Sequence, residues 1–390
     1  MFRKRRWQFA ACSLLTALLT TAAVVGTEAV LLNRLTGSAS ESVRFLRTMN
    51  LLKRNYNGEV DNHQLFDGAI KGMVEAAGDP YTVYLNSKDF QQLSEMTGGS
   101  FGGIGIVFGK RGNDYVVISA LEDNPGAKAG IKSGDIITAI DGKPTRDMNM
   151  EQVANKIRGK HGTVVKLELK GKDGKLRTVS VVRGEIKNPS VGGQLLPDTK
   201  IGYIRIAVFN ENTGDDFAKK YAELEKQGMQ ALVLDLRSNP GGVFDAGVAV
   251  AGMLVPKGPI VSVVDKNGNK YEETSSLEKV KYPLAVLVDH GSASAAEIVA
   301  GAIKDTKSGK LFGTKTFGKG SVQSVYRLDS NTAVKITVAK YYTPSGVSIH
   351  NVGIEPDVKV ELPEDATVDV QLKAAEDYLL QQLQLSLIHI

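Results

Sequence analysis

The chain has 390 residues, 42% of them apolar and 23% charged, which excludes global disorder and, at about 150 residues per domain, predicts two or three packed units. The net charge of +5 comes mostly from Arg3, Lys4, Arg5 and Arg6, so the remaining sequence lacks the basic surface that nucleic-acid binding needs. The single cysteine, Cys12, excludes disulfides, thiolate catalysis and cysteine-ligated zinc from the rest of the chain.

The first predicted element is an uncharged apolar helix over residues 7–27. It would span about 31 Å, close to the roughly 30 Å hydrocarbon core of a bilayer. The basic residues before it predict a cytoplasmic N-terminus and an extracytoplasmic remainder. A cleaved signal peptide has the same charged start, but only Ser38-Ala39-Ser40 partly fits a small-residue cleavage site. We therefore favour a retained anchor in residues 1–41, which makes the protein single-pass in the cell membrane.

Two segments of different character follow the apolar helix. Residues 42–98 place apolar side chains at three- and four-residue spacing, which predicts a helical region with a break at Gly78-Asp79-Pro80. Residues 99–186 consist instead of short β-branched runs separated by turn formers such as Asp141-Gly142. This second segment predicts a small β-rich domain with one helix, over residues 150–158.

From residue 187 to residue 363, buried strands alternate with helices. The strands are predicted at residues 202–206, 231–236 and 284–288, and the helices at 215–227, 243–254 and 295–304. Buried parallel strands with covering helices fit this alternation, so the third unit is predicted to be α/β. A C-terminal helix and tail are predicted over residues 364–390. The whole chain is predicted to be an α+β multidomain protein.

Two loops of the α/β unit are suited to catalysis. Residues 235–242 (DLRSNPGG) follow a buried strand, and Gly241 and Gly242 can bring bare N–H groups up to a ligand. Residues 289–297 (DHGSASAAE) follow another strand and open a helix, whose first N–H groups favour an oxyanion. Because catalytic groups gather where the strands of α/β folds end, both loops are candidate site segments. Each would also fit a plain connection in which a serine or asparagine caps a helix.

A third segment, residues 313–323 (GTKTFGKGSVQ), nearly matches a phosphate-binding loop. The match fails because Gly320 stands where a hydroxyl would hold magnesium and because residues 322–328 have a strand pattern. Lys319 is flanked by glycines, which suits an amine that must reach another group, although a solvated turn lysine would also fit. The scattered histidines give no metal-ligand spacing, so we expect neither a metal nor another cofactor.

Together these motifs resemble the carboxyl-terminal processing peptidases, the tail-specific serine proteases of peptidase family S41, over residues 44–363. The matching pieces occur in order along the chain. They are residues 78–81 (GDPY), 102–106 (GGIGI), 129–135 (AGIKSGD), 234–242 (LDLRSNPGG), 291–295 (GSASA), 317–323 (FGKGSVQ), 341–346 (YYTPSG) and 353–357 (GIEPD). The resemblance implies a PDZ domain over residues 99–186 and a serine protease core over residues 187–363.

Carried over residue by residue, the resemblance implies that Ser294 is the nucleophile, Lys319 its general base and Gln323 the residue that holds the lysine. A lysine is a base only when neutral, and burial favours the neutral form by disfavouring the ammonium. A glutamine can accept a hydrogen bond from the amine without adding a charge that would restore the ammonium. The implied oxyanion hole combines N–H groups of Ala295 and of Gly241 or Gly242.

The implied PDZ domain would bind the C-terminal tails of protein substrates. PDZ domains add a peptide as a strand and capture its carboxylate on backbone N–H groups. The matching cradle here is formed by Gly102, Gly103, Ile104 and Gly105. We therefore expect a serine endopeptidase that cleaves extracytoplasmic proteins near their C-termini, with protein substrates and the membrane as partners. Whether it forms a homo-oligomer or has an activating partner is left open.

Two other functions compete with this expectation. The first is a non-catalytic PDZ scaffold, which would have no need of both Ser294 and Lys319. The second is a hydrolase with a charge-relay triad of Asp289, His290 and Ser294. Because these three residues lie in one short loop, they cannot easily place carboxylate, imidazole and hydroxyl in line, and we favour the lysine.

Overall fold

The computed structural model describes residues 27, 30–31, 33–34, 36–363 and 366–388. The predicted membrane helix, residues 7–27, lies outside the described residues except for Thr27. Among the helices of the described part, none is both long and apolar enough to cross a bilayer. The chain divides into two compact units, residues 1–78 and 79–390.

The described part of the first unit is helical, as its apolar spacing predicts. Helix α1 spans Ala39–Asn55 and helix α2 spans Asn62–Glu75. Each begins at a side-chain cap: Ser38 Oγ accepts the Glu41 N–H, and Asp61 accepts the His63 N–H. No residue of α1 is buried, although the helix carries several large apolar side chains.

The second unit begins with a strand that the sequence analysis did not predict. Strand β1 spans Val83–Leu85 and pairs antiparallel with residues 333–335 of a strand near the end of the chain. Helix α3 follows at Ser87–Gly98, capped by Asn86, whose Oδ1 accepts two N–H groups. The helical prediction for residues 42–98 is therefore wrong at residues 83–85, because the turn at residues 78–81 separates an extended run from the helices.

Residues 99–186 are β-rich, as their short β-branched runs indicate. Two antiparallel sheets are present, one in the order β3-β4-β5-β7-β8 with β6 beside β5, and a ribbon of β2 and β9 that pairs the two ends of the domain. A short helix α4 and a 3₁₀ turn at Thr145–Asp147 add to the expected helix α5. The elements are β2 Ser100–Gly103, β3 Ile106–Arg111, β4 Asp114–Ala120, α4 Pro125–Lys128, β5 Ile136–Ile140, β6 Lys143–Pro144, α5 Met150–Ile157, β7 Val164–Lys170, β8 Leu176–Val182 and β9 Gly184–Lys187.

The α/β unit is built on a sheet in the order β10-β11-β12-β15-β16-β19, parallel except for β10. Alternate residues of its strands enter two cores. Leu232 and Leu234 pack with helices α6 to α8, and Ala231 and Val233 pack with α9 on the other face. The elements are β10 Val191–Leu195, β11 Ile201–Ile206, α6 Thr213–Lys226, β12 Ala231–Asp235, α7 Phe244–Gly252, β15 Leu284–Val288, α8 Ala295–Asp305, β16 Lys310–Gly313, β19 Val358–Lys359 and α9 Val370–Ile388.

A further antiparallel sheet has the order β1-β18-β13-β14, with β17 also paired to β18. Its strands are β13 Gly258–Asp265, β14 Lys270–Ser275, β17 Ser321–Arg327 and β18 Ala333–Tyr342. The parallel strands β12 and β15 are neighbours, so the loops after them lie at the same edge of their sheet. Strand β17 begins at Ser321, two residues after the glycine-flanked Lys319. The Phe317 N–H donates to the Ser292 carbonyl, so the third candidate segment lies beside the second.

Candidate active site

The loops after β12 and β15 are bound to each other by hydrogen bonds. Asp289 Oδ1 accepts the Ser238 N–H at 2.8 Å, and the Ala293 N–H donates to the Asn239 carbonyl at 2.9 Å. Ser292 is fully buried, and its Oγ donates to the Leu236 carbonyl at 2.8 Å. Ser292 therefore holds the two loops together and is not exposed as a nucleophile.

Ser294 stands in a strained turn between strand β15 and helix α8. Its backbone has φ 54° and ψ −116°, a conformation that non-glycine residues rarely adopt and that surrounding structure must enforce. Such a sharp turn presents a serine hydroxyl at the end of a sheet, and it requires small residues close by. Ser292 and Ala296, two positions to either side, are fully buried. Strain of this kind at a predicted nucleophile is a sign of a functional site.

Gly241 approaches Ser294, and Gly242 approaches the Phe209 carbonyl, so closely that neither position has room for a side chain. A Cβ added to Gly241, which has φ +90°, would lie 2.6 Å from Ser294 Cβ and 2.9 Å from the Ala295 nitrogen. The Gly241 N–H donates to Asn239 Oδ1 at 2.8 Å. Within the described residues, neither the Gly242 N–H nor the Ala295 N–H donates to any acceptor. Two unused N–H groups are thus found close to Ser294 in the fold, one on the next residue, Ala295, and one in the glycine loop, on Gly242.

Lys319 is only partly exposed, and its surroundings favour the neutral amine. Burial lowers the pKa of Lys319 below the ordinary lysine value, and the ammonium of Lys335 lowers it further. The carboxylates of Glu297 and Asp79 act in the opposite direction, but they do not reverse the shift. Lys319 Nζ also lies 5.0 Å from the centre of the Tyr81 ring.

The buried carboxylate of Glu297 connects the serine loop to the lysine loop. Its Oε2 accepts the N–H groups of Ser294 at 2.9 Å and Lys319 at 2.8 Å. Its Oε1 accepts the Gly318 N–H at 2.8 Å and the Thr316 hydroxyl at 2.6 Å. Glu297 is 0% exposed, so all four bonds are shielded from water.

Tyr341 makes a second connection between the same two residues. Its buried hydroxyl is hydrogen-bonded to the Lys319 carbonyl and lies 3.1 Å from the Ser294 carbonyl. Burial raises the pKa of Tyr341 well above its ordinary value, which keeps the hydroxyl protonated. The backbones of Ser294 and Lys319 are therefore fixed on both their N–H and their carbonyl sides.

Gln323 lies on strand β17 beside the lysine loop. Its Nε2 donates to Ser321 Oγ at 2.9 Å and to Thr337 Oγ1 at 3.3 Å. Within the described part of the chain, no hydrogen bond joins Gln323 to Lys319, and the Gln323 Oε1 accepts none. The amide is thus oriented with its acceptor unused, and the predicted contact with the lysine amine stays a prediction.

A groove of about 840 Å³ brings the predicted site residues together. Its walls include all six residues of the predicted catalytic group and oxyanion hole: Ser294, Lys319, Gln323, Ala295, Gly241 and Gly242. Helix α3 forms another wall through Phe90, Leu93, Ser94, Met96 and Thr97. The groove is large enough for several residues of an extended peptide.

The competing triad finds no support in the geometry. Asp289 accepts N–H groups from Ser238 and Gly291, and His290 is exposed with its ring 5.5 Å from that of Phe317. In the described structure, no hydrogen bond joins His290 to Asp289 or to Ser294. Over the same residues, no cluster of three or more histidine, cysteine, aspartate or glutamate side chains could hold a metal ion.

The predicted PDZ cradle lies partly inside the fold. Ile104 is 1% exposed and belongs to the core of the β-rich domain, and Gly105 has φ +69°. Gly102 lines a cavity of about 330 Å³ between this domain and helix α3. Gly103 ends strand β2. The side chain of Ile104 is therefore not available to a ligand, and the cradle's role stays a prediction.

Sequence reasoning missed Glu297, Tyr341 and Asp369. Glu297 had a readable signal, because an acid three residues after a serine at a helix start has the spacing of a capping box. For Tyr341, the sequence carried no such signal apart from the family resemblance. Asp369, just before α9, pairs at 2.7 Å with the partly buried Arg237, which also binds Asp235 and thereby fixes the glycine loop.

Comparisons with known proteins agree with this architecture. The model of peptidase family S41 matches residues 200–360, the PDZ domain model matches residues 116–171, and the model described as the activating protease CtpB N-terminal domain matches residues 24–89.

Similar proteins carry the name of carboxy-terminal processing protease. CtpA of Bacillus subtilis is 38% identical over 317 residues, which is 81% of this chain and 68% of that protein. The carboxy-terminal-processing protease of Bartonella bacilliformis is 34% identical over 354 residues, 88% of this chain and 81% of that protein. A solved photosystem II D1 C-terminal processing protease is 32% identical, covering 87% of this chain and 97% of its own with a TM-score of 0.49. The resemblance is confirmed: the chain belongs to the carboxy-terminal processing proteases of peptidase family S41, which are serine peptidases, and it carries a PDZ domain.

Proposed function

We propose that the protein cleaves peptide bonds with a catalytic dyad of Ser294 and Lys319. The observation that carries this proposal is that both side chains line one groove while Glu297 holds their backbones together. The unused N–H groups of Gly242 and Ala295 form the oxyanion hole. Gly242 is favoured over Gly241 because the Gly241 N–H is already bonded to Asn239.

The proposed reaction passes through an acyl-enzyme. The neutral Lys319 amine takes the proton of Ser294 Oγ, which attacks the scissile carbonyl and places a negative charge on its oxygen. The resulting ammonium gives its proton to the leaving amine as the C–N bond breaks. Water then attacks the ester carbonyl while the Lys319 amine takes a proton from it. The ammonium returns this proton to Ser294 Oγ as the acyl C–O bond breaks, which releases the acyl part of the substrate as a carboxylic acid. Gln323 Oε1 accepts a hydrogen bond from the amine and orients it.

The natural substrates in this proposal are extracytoplasmic proteins that are cut near their C-termini. The PDZ domain supports this substrate class, because such domains bind the free C-terminal ends of peptides. The uncharged segment of residues 7–27, preceded by basic residues, supports a membrane anchor with the protease core on the periplasmic or extracellular side.

Removal of either dyad side chain should abolish hydrolysis without unfolding the protein. We expect Ser294→Ala and Lys319→Ala each to lower kcat by roughly 10³ or more, because the two groups act as a unit. Peptide hydrolysis and thermal unfolding would be measured together. His290→Ala is the control and should keep most activity. An active Ser294→Ala variant, or an inactive His290→Ala beside an active Lys319→Ala, would contradict the dyad.

The pH dependence of kcat/KM should follow the protonation state of the Lys319 amine. Burial and Lys335 lower the pKa of Lys319, and only the neutral amine is active, so activity should rise with pH through this lowered pKa and be lost in acid. A profile of kcat/KM against pH, measured on a peptide without titratable side chains, gives the pH at the midpoint of this rise. A midpoint at the value of an ordinary exposed lysine would show that the groove does not favour the neutral form.

Glu297→Gln should impair catalysis more than binding. The glutamine keeps the size of the side chain, but its NH₂ group would face two of the four present donors, which would then have no acceptor. We expect kcat to fall by about 10²-fold with KM little changed, because the serine and lysine backbones lose their common anchor. The exposed Glu223→Gln is the matched control. Unchanged kcat in Glu297→Gln would remove Glu297 from the positioning of the dyad.

The membrane proposal is tested on the full chain in cells. A reporter fused after residue 390 should be active only outside the cytoplasm, and the protein should stay in the membrane fraction after a salt wash. A soluble species that lacks about 40 N-terminal residues would instead indicate a cleaved signal peptide.

A further inference from the structure

We propose that Lys335 and Arg327 form a carboxylate-binding subsite in the protease groove, which receives the C-terminal α-carboxylate of the substrate itself. The subsite would set the distance between the cleaved bond and the end of the chain, independently of the PDZ domain. This inference rests on the proposed function, because it assumes that Ser294 and Lys319 cleave peptides in this groove.

The register of the β17–β18 hairpin places the two cations on one face with Gln323. Gln323 pairs with Thr337, Val325 with Lys335, and Arg327 with Ala333. Because paired residues share a face and alternate residues return to it, Gln323, Lys335 and Arg327 follow one another along the same face. The bond between Gln323 Nε2 and Thr337 Oγ1 marks that face. All three residues line the groove.

Among the residues that the structure describes, neither cation is paired with a carboxylate. In the described residues, no carboxylate oxygen lies within 4.0 Å, the limit for an ion pair, of a side-chain nitrogen of Lys335 or Arg327. Arg327 lies instead 5.2 Å from the ring centre of Phe90, which also lines the groove. The acidic residues of the groove, Glu211 and Asp245, come from other elements, outside the hairpin. Two unpaired cations on one wall of a peptide groove favour an anionic ligand.

The hairpin lies on the leaving-group side of the reaction centre. The base that accepts the serine proton must deliver it to the leaving amine, so the leaving peptide departs on the side where the lysine stands. Lys319 lies two residues before the start of β17, and the groove continues along β17 from Ser321 to Arg327. The segment released from a protein's C-terminus therefore passes Lys335 and Arg327, and its last group is a carboxylate.

The spacing defines the length of the released segment. At about 3.3 Å per residue, Val325 with its partner Lys335 is about 7 Å from Gln323 along the strand, and Arg327 is about 13 Å away. An extended peptide has the same rise per residue. If the cleaved bond lies level with Gln323, the subsite fits leaving segments of about two to four residues, whose terminal carboxylate would meet the Lys335 ammonium or the Arg327 guanidinium.

The test compares peptides that differ only in a free or an amidated C-terminus, in series with leaving segments of two to six residues. We expect the wild-type protein to cleave the free acid about tenfold better in kcat/KM at one length of two to four residues, with little difference at six. Lys335→Gln and Arg327→Gln should each reduce this advantage, mainly through KM. Lys340→Gln, on the same strand but outside the groove, is the matched control and should retain it.

The pH profile gives a second readout for Lys335. Lys319 faces the cation of Lys335, the carboxylates of Glu297 and Asp79, and the ring of Tyr81. Removing the Lys335 charge should raise the pKa of Lys319, so the acid limb should move to higher pH in Lys335→Gln and stay in place in Lys340→Gln. Thermal unfolding confirms that each variant is folded. If Lys335→Gln does not fold, Arg327→Gln alone shows whether the subsite recognises the terminal carboxylate.

The outcomes separate this inference from the proposed function. Equal cleavage of acid and amide peptides by the wild-type protein would overturn the subsite and leave the dyad intact. If both Lys335→Gln and Arg327→Gln still cleave the free-acid peptide better than the amidated one, the subsite is also overturned. Recognition of the carboxylate would then be assigned to the PDZ domain. Absence of cleavage of every peptide would contradict the proposed function and, with it, the subsite.

Discussion

The four hydrogen bonds to the Glu297 carboxylate are the interaction on which the candidate site depends. A buried carboxylate is costly unless donors surround it, and here the donors come from the serine turn and from the loop that carries Lys319. The cost of burying the charge is offset only when both loops are in place. The same contacts that satisfy the carboxylate therefore fix the relative positions of the proposed nucleophile and the proposed base.

The environment of Lys319 is a balance of opposed effects. Burial and the Lys335 ammonium favour the neutral amine, while Glu297 and Asp79 favour the ammonium. Glu297 does not act as a direct ion-pair partner of the amine, because its oxygens are already occupied by backbone N–H groups and by the Thr316 hydroxyl. A carboxylate can thus stabilise the architecture around the proposed lysine base without restoring its charge.

Much of the fold could be predicted from the sequence because it is encoded locally. The apolar runs at residues 231–236 and 284–288 and the helices after them follow from periodicity, and the placement of Ser294 and the glycine pair follows from where parallel strands end. The sequence did not predict β1, because three extended residues become a strand only when β18 is beside them.

The proposal of Gly242 rather than Gly241 for the oxyanion hole could not be made from the sequence, because it rests on which N–H group the Asn239 side chain occupies. The link between Arg237 and Asp369 is likewise a tertiary contact between residues far apart in the chain. Nothing in the local sequence of either residue indicates its partner, whereas Glu297 at least shows the spacing of a helix cap.

The pairing of β1 with β18 has a consequence for the order of folding. Thr82, just before β1, accepts a hydrogen bond from the Thr337 N–H, across 255 positions of the chain. Contacts of such long range form late, because a large loop must close before they contribute to stability. In the living cell, where the N-terminal part emerges from the ribosome first, the sheet that borders the groove is completed only after most of the polypeptide has been made. A nascent chain therefore lacks the finished groove for most of the time that it is being synthesised.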